Sequence, residues 1–217
     1  MQGAPLESFW LYKQLYVDKQ TGNAVFQHAD GTTGTSVTSA DRMLLGTLFP
    51  KFYGGITNTF TFRDFDLSGF FSYQYGNSVF NFNKYILEGG GTRDASRSIL
   101  ASQLDRWTTP GQITNTPRVT SVGNNYNIEQ NSRYLEDGSF IRLKTLVLGY
   151  TLPKAFTNKL NIERLRVYVQ GTNLLLFTHY TGPDPESSGS GVANLQGIDT
   201  ATPPQPVGIQ FGANVTF

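Results

Sequence analysis

Apolar and polar residues alternate without a break from Val207 onward. The odd positions carry Val207, Ile209, Phe211, Ala213, Val215 and Phe217, and the even ones Gly208, Gln210, Gly212, Asn214 and Thr216. A period of two belongs to a strand with one apolar face. The pattern recurs upstream, where Leu165, Val167 and Val169 alternate with Arg164, Arg166, Tyr168, Gln170 and Thr172. It recurs again where Ile141, Leu143, Thr145 and Val147 face away from Arg142 and Lys144. From Leu152 to Glu163, Pro153 stops the earlier strand, and Lys154, Thr157, Asn158 and Lys159 make a solvated connection, so the two strands form a long hairpin.

A shorter hairpin joins Lys51–Phe62 to Phe65–Tyr75 through Arg63-Asp64. In its second strand Phe65, Leu67, Phe71, Tyr73 and Tyr75 share one parity, and Asp66, Ser68, Ser72 and Gln74 the other, which Phe70 alone interrupts. Phe9 to Val17 is strand-like with both parities apolar: Trp10, Tyr12 and Tyr16 on one, Phe9, Leu11, Leu15 and Val17 around Lys13 on the other. The expected strands are therefore 9–17, 51–62, 65–75, 139–151, 164–177 and 206–217, about six in all. Connections alternate between long (18–50, 76–138, 178–205) and short (63–64, 152–163). Inside the second long one, Ile99, Leu100, Leu104 and Trp107 follow helical spacing, and Thr108, Pro110 and Gly111 end the run, which predicts a short loop helix with a packing stripe.

Composition agrees with antiparallel sheet rich in turns: 23 Gly, 11 Tyr and 16 Phe in 217 residues, with 38% hydrophobic residues. The net charge of +1, with no basic block, leaves no electrostatic footprint for nucleic acid. The chain has no cysteine, so it holds neither a disulfide framework nor a thiolate metal site. Mean hydropathy is −0.29 and no apolar run approaches the roughly 18 residues of a spanning helix. A barrel strand escapes that criterion, because its lipid-facing residues are interleaved with polar ones. The amino end, MQGAPLESFW, has no charged leader or cleavage site, so an export signal is expected upstream.

Candidate chemistry is sparse. His28 and His179 lie in polar loops and read as solvated; Asp184 and Glu186 flank Pro185 and read as a rigid turn rather than an acid/base pair. Asp30-Gly31 reads as a turn, since only the distant Asp41 adds a carboxylate and an oxygen-ligand cation loop needs several. No catalytic residue, metal ligand or cofactor site is assigned, and no enzyme activity is expected.

Soluble sandwiches have no reason to gather every long loop at one end, whereas outer-membrane barrels do so, with short turns inside and long loops outside. Under that reading Arg142, Lys144, Arg164 and Arg166 point to the lumen, Tyr73, Tyr75 and Phe217 belong to aromatic girdles, and the loops 76–138 and 178–205, the latter carrying Ser188, face the exterior. About six strands cannot close a barrel, which needs at least about eight, and an open edge in lipid is costly. The fold expected is all-β: an antiparallel transmembrane β-barrel, present as a carboxyl-terminal fragment spanning 1–217 with long extracellular loops.

Motifs along nearly the whole chain sharpen this. They are Asp41-Arg42, Gly46, Pro50-Lys51-Phe52, Gly54-Gly55, Arg106-Trp107-Thr108, Pro110-Gly111 and Pro117-Arg118, then Asp137 to Lys144, Leu148 to Pro153, Leu165 to Tyr168, Asn173-Leu174, and Tyr180, Gly182 and Asp184-Pro185-Glu186. In this order they resemble the carboxyl-terminal part of SusC/RagA-type TonB-dependent outer-membrane transporters. The acidic loop near Asp30 is reduced here, and Thr145 stands where Asn is common. The resemblance implies a barrel of about 22 strands with an amino-terminal plug, importing oligosaccharides or peptides beneath a SusD-like surface lipoprotein. Plug, TonB box and signal peptide would lie outside this sequence, with TonB engaged through that missing part. The resemblance also implies a periplasmic carboxyl terminus, at which Gln210, Gly212, Val215 and Phe217 match a barrel assembly signal. The alternatives are a passive outer-membrane porin and a soluble carbohydrate-binding β-sandwich.

Overall fold

The computed structural model describes residues 7–88, 98–119, 130–186 and 196–217, apart from the side chain of Leu160; Ser188 lies outside them. In chain order the strands are β1 (Ser8–Leu11), β2 (Lys13–Val17), β3 (Ala24–Gln27), β4 (Thr33–Gly34), β5 (Met43–Thr47), β6 (Phe52–Phe62), β7 (Phe65–Tyr75), β8 (Ser78–Asn81), β9 (Leu135–Asp137), β10 (Phe140–Thr151), β11 (Arg164–Thr178), β12 (Ile198–Asp199) and β13 (Gly208–Thr216). Among the described residues two short α-helices, α1 (Phe82–Leu87) and α2 (Lys154–Thr157), and several short 3₁₀ helices accompany them. The chain divides into two compact units, the first made of Met1–Phe49, Asn77–Asp137 and Tyr180–Thr202, the second of Pro50–Gly76, Gly138–His179 and Pro203–Phe217.

The second unit is one antiparallel sheet in the order β13-β11-β10-β7-β6. Its five long strands are the expected ones to within two residues at either end. Both short connections are present: Arg63, with φ of 53°, turns β6 into β7, and Pro153 leads into α2 between β10 and β11.

The register corrects one feature of the alternation. On β10, Leu143 pairs with Phe71 of β7, but Thr145 pairs with Phe70, so Lys144 is an inserted residue. Such a bulge shifts the parity of everything after it. Ile141 and Leu143 are therefore joined on their face by Leu146, Leu148 and Tyr150, whereas Thr145 and Val147 move to the opposite face. On β11, Asn173 and Leu174 stand against Lys144, with Asn173 at a φ of 52°, a conformation asparagine tolerates better than most residues.

The first unit is built from short strands. Phe9–Val17 is not one strand but two: β1 pairs with β5, and β2 with β3. The break falls at Tyr12, which bridges to Asn131. Leu11 enters a core with Phe80, Tyr85 and Tyr134, while its neighbour Tyr12 enters another with Ala24, Phe26 and Val37. Two apolar parities in one segment thus serve two cores. The helix α1 starts on Asn81, whose side chain accepts the Lys84 amide at 2.9 Å. The stripe predicted over Ile99–Trp107 does not pack as one face: Ile99 and Leu104 are exposed, while Leu100 and Trp107 are half-buried. Residues Ala101–Asp105 form a 3₁₀ helix with Gln103 inward, and Leu104 is 78% exposed. Three residues per turn replace the 3.6 on which the stripe rested.

Candidate functional site

Residues paired across the five-stranded sheet share a face, and the two faces differ in kind. One carries Phe52, Ile56, Phe60 and Phe62 of β6, followed on β7 by Tyr75, Tyr73, Phe71, Leu67 and Phe65. It continues through the apolar residues of β10, then Phe177, Leu175, Val169, Val167 and Leu165 of β11, and Val215, Ala213, Phe211 and Ile209 of β13. Asn58, opposite Gly69, is the one amide side chain among these paired residues. Aromatic rings gather at both ends. Phe52 stacks on Tyr75 at 4.9 Å, and Phe65 meets Tyr150 at 4.6 Å. The ten steps from Phe52 to Phe62 cover about 33 Å along the strand, or about 25 Å of depth at a tilt near 40°. That is the height of an outer-membrane apolar band.

The opposite face carries Thr57, Thr59, Thr61, Ser68, Ser72, Gln74, Thr145, Gln170, Thr172, Gln210 and Asn214 by the same register. Arg142, Arg164 and Arg166 lie on it, as expected; Lys144 sits in the bulge instead. Phe70 is on this polar face, opposite Thr57. Arg166 donates from Nε to Asp66 Oδ1 at 2.8 Å and from Nη2 to Oδ2, a bidentate pair reaching over β10. Apart from Phe70, Val147, Leu176 and the end residues Tyr53 and Phe140, this face is polar, and its cations can stay hydrated or paired.

In the first unit, polar side chains tie together segments far apart in sequence. Glu136 accepts from Lys84 Nζ at 3.0 Å and from the Thr181 amide at 2.8 Å, with the Thr181 hydroxyl beside it. Burial would raise the Glu136 carboxyl, but the Thr181 and Lys84 donors outweigh it and hold it below its ordinary value. Tyr180 donates to the buried Asp199, and burial together with that hydrogen bond pushes the phenol well up. Asp41 accepts from the Thr38 and Ala29 amides and the Thr38 hydroxyl, which lower its pKa strongly, and it also holds His28 at 3.3 Å.

The Trp107 motif is a brace. The indole donates to the Lys19 carbonyl at 2.9 Å over Gly22, whose φ is 71°, and the Arg118 amide donates to the Gly22 carbonyl at 2.8 Å. An aromatic cavity of about 490 Å³ lies beside β1, lined by Phe9, Trp10, Leu11, Phe80, Phe82 and Ile198, with Ser8, Gln130 and Thr200 as its polar groups. Its size and lining suit an apolar side chain or a sugar face. Sequence periodicity could not find it, because its walls come from separate segments.

The remaining candidates resolve simply. His28 is held by Asp41 rather than solvated. Asp30 accepts from the Thr32 amide and hydroxyl, closing a turn. Asp184 is buried and accepts the Glu186 amide at 2.9 Å, again a turn. Of the carboxyl-terminal set, Gln210 and Gly212 lie on the polar face and Val215 on the apolar one, while Phe217 follows the last paired residue.

The geometry defines the class: an all-β, antiparallel sheet with one face fit for lipid and one for water, as in a transmembrane barrel. No family model matches the chain. It is similar to TonB-dependent receptor P3 of Formosa agariphila, at 31% identity over 205 residues, covering 92% of this chain and 19% of that protein. TonB-dependent receptor P26 of the same organism is 34% identical over 209 residues, covering 92% and 20%. Among solved structures, the RagAB peptide transporter matches with a TM-score of 0.81 and 26% identity over 97% of this chain and 23% of that one. The RagAB peptide importer in its open-open state matches at 0.77 and 25%, over 97% and 22%. The chain spans about a fifth of the length of these proteins. It is homologous to TonB-dependent receptors and shares its fold with the SusC/RagA type, as its motifs implied. These relatives are receptors and transporters rather than enzymes, and the homology places the chain with outer-membrane proteins.

Proposed function

We propose that residues 1–217 are the carboxyl-terminal part of the barrel of an outer-membrane nutrient importer. The observation that carries this is the sheet of β6, β7, β10, β11 and β13, with an apolar face about as tall as a membrane, aromatic rings at both ends, and a polar face opposite. Connectivity supports the orientation. The short turns after β6 and β10 define one end of the sheet, and every long segment leaves from the other. The short turns then face the periplasm, along with the carboxyl terminus, and the long segments face the exterior.

In the whole protein this part cooperates with a plug and with TonB, both outside this chain, and with a SusD-like lipoprotein that covers the long loops. The substrates are peptides or oligosaccharides, and the RagAB importers favour the former. Gln210, Gly212, Val215 and Phe217 present the strand to the barrel assembly machinery. Uptake of labelled peptides and labelled oligosaccharides by cells carrying the full-length parent tests the import. Accumulation of one class should stop both when the gene is deleted and when a protonophore collapses the proton gradient. Accumulation that needs the gene but survives the protonophore would assign a passive porin instead.

A further inference from the structure

Alternation cannot by itself fix the register of β13. Sliding the strand by two residues keeps Ile209, Phe211, Ala213 and Val215 on the apolar face, so burial barely distinguishes the native pairing from its neighbours. The polar face does distinguish them. Tyr168 of β11 pairs with Gly212 of β13 and its ring lies across that glycine; a methyl group added there would overlap the ring, 2.7 Å from Cε1. A slip of two residues in either direction would bring Gln210 or Asn214 under the ring, and both carry a Cβ.

Tyr168 is itself held. The Arg166 guanidinium lies 5.1 Å from its ring centroid and is fixed by Asp66 of β7. That pair crosses β10 at Gly149, where an added methyl would stand 2.6 Å from the guanidinium carbon. A slip of two on β10 would place Val147 or Thr151 there. Asp66, Arg166 and Tyr168 thus run unbroken over two glycine seats and touch β7, β10, β11 and β13.

We infer that this chain of contacts is a latch that selects the register of the closing strand, and that Gly212 is glycine to seat Tyr168. The inference rests on the barrel reading. Its test uses the full-length parent with cysteine pairs on the apolar face, away from the latch. Val169→Cys with Phe211→Cys reports the native register, and Val169→Cys with Ile209→Cys or with Ala213→Cys reports slips of two. In the otherwise unchanged protein only the native pair should cross-link. Adding Gly212→Ala should lower the native cross-link in assembled protein, or the assembled fraction, at least fivefold. Further addition of Tyr168→Ala should restore both, because the ring and not the strand is what the methyl offends. Native cross-linking at full level in Gly212→Ala, or no recovery on removing the ring, would overturn the latch. Failure of every pair to reach an assembled, heat-modifiable form, in a parent that itself assembles only as a soluble species, would overturn the barrel reading and the latch with it.

Discussion

Arginine placed at Leu146 and at its neighbour Val147 should have opposite consequences, and the bulge at Lys144 decides which. Counting by twos from Ile141 assigns Val147 to the apolar face and Leu146 to the charged one. The register assigns them the other way: Leu146 pairs with Gly69 and Gly171, and its Cδ1 covers Gly69 at 3.6 Å from where a Cβ would stand. Gly69 in turn pairs with Asn58, near the middle of β6, so Leu146 sits close to the midplane. An arginine there costs about 2–4 kcal/mol in an outer-membrane barrel, a factor of about 30 to 900 in the folding equilibrium. Val147 pairs with Ser68 and Gln170, so an arginine in its place reaches water and costs less than about 1 kcal/mol. The assay is the folded fraction of the full-length parent in lipid vesicles across a urea series, read by heat-modifiable gel mobility. Leu146→Arg should lose the folded band at far lower urea than Val147→Arg. The reverse order would refute the bulge; equal loss would refute the assignment of faces.

Ile113 is 91% exposed in the segment between β7 and β10, so Ile113→Cys in the parent should react with an impermeant maleimide on intact cells; labelling only after lysis would invert the orientation. Deleting Phe217 should lower the assembled fraction well beyond Phe71→Ala, which removes an aromatic ring of the apolar face without touching the terminus; equal levels would remove Phe217 from the assembly signal. Glu136 is held below its ordinary value, so its contribution is complete above about pH 4.3 and fades as pH falls through the lowered value. Limited proteolysis between Asn77 and Asp137 should therefore accelerate in acid, and Glu136→Gln should show the faster cleavage at pH 7 already, consistent with about 1.5–3 kcal/mol for hydrogen bonds to a charged group.

The long strands were legible because each meets two different media, which writes a period of two into β6, β7, β11 and β13. On β10 the same rule failed after Leu143, since an inserted residue changes parity without changing composition. The first unit was hardly legible at all. Its strands are two to five residues long, too short for a period to emerge, and Leu11 and Tyr12 turn to different cores although adjacent. The α1 helix had a readable start in Asn81 followed by Phe82, Tyr85 and Ile86, hidden inside what composition marks as a loop. The latch joins Asp66 to Arg166, a hundred residues apart, so only the register could reveal it.

Contact with lipid is the claim on which the rest depends, and a quencher carried by the lipid reads it residue by residue. Single cysteines at Leu146, Val147, Leu148, Ile209, Gln210 and Phe211 of the full-length parent, each bearing a bimane, would be reconstituted in vesicles of brominated phosphatidylcholine. Strong quenching at 146, 148, 209 and 211 with weak quenching at 147 and 210 is the predicted pattern. Uniformly weak quenching at all six positions would contradict a membrane-facing sheet.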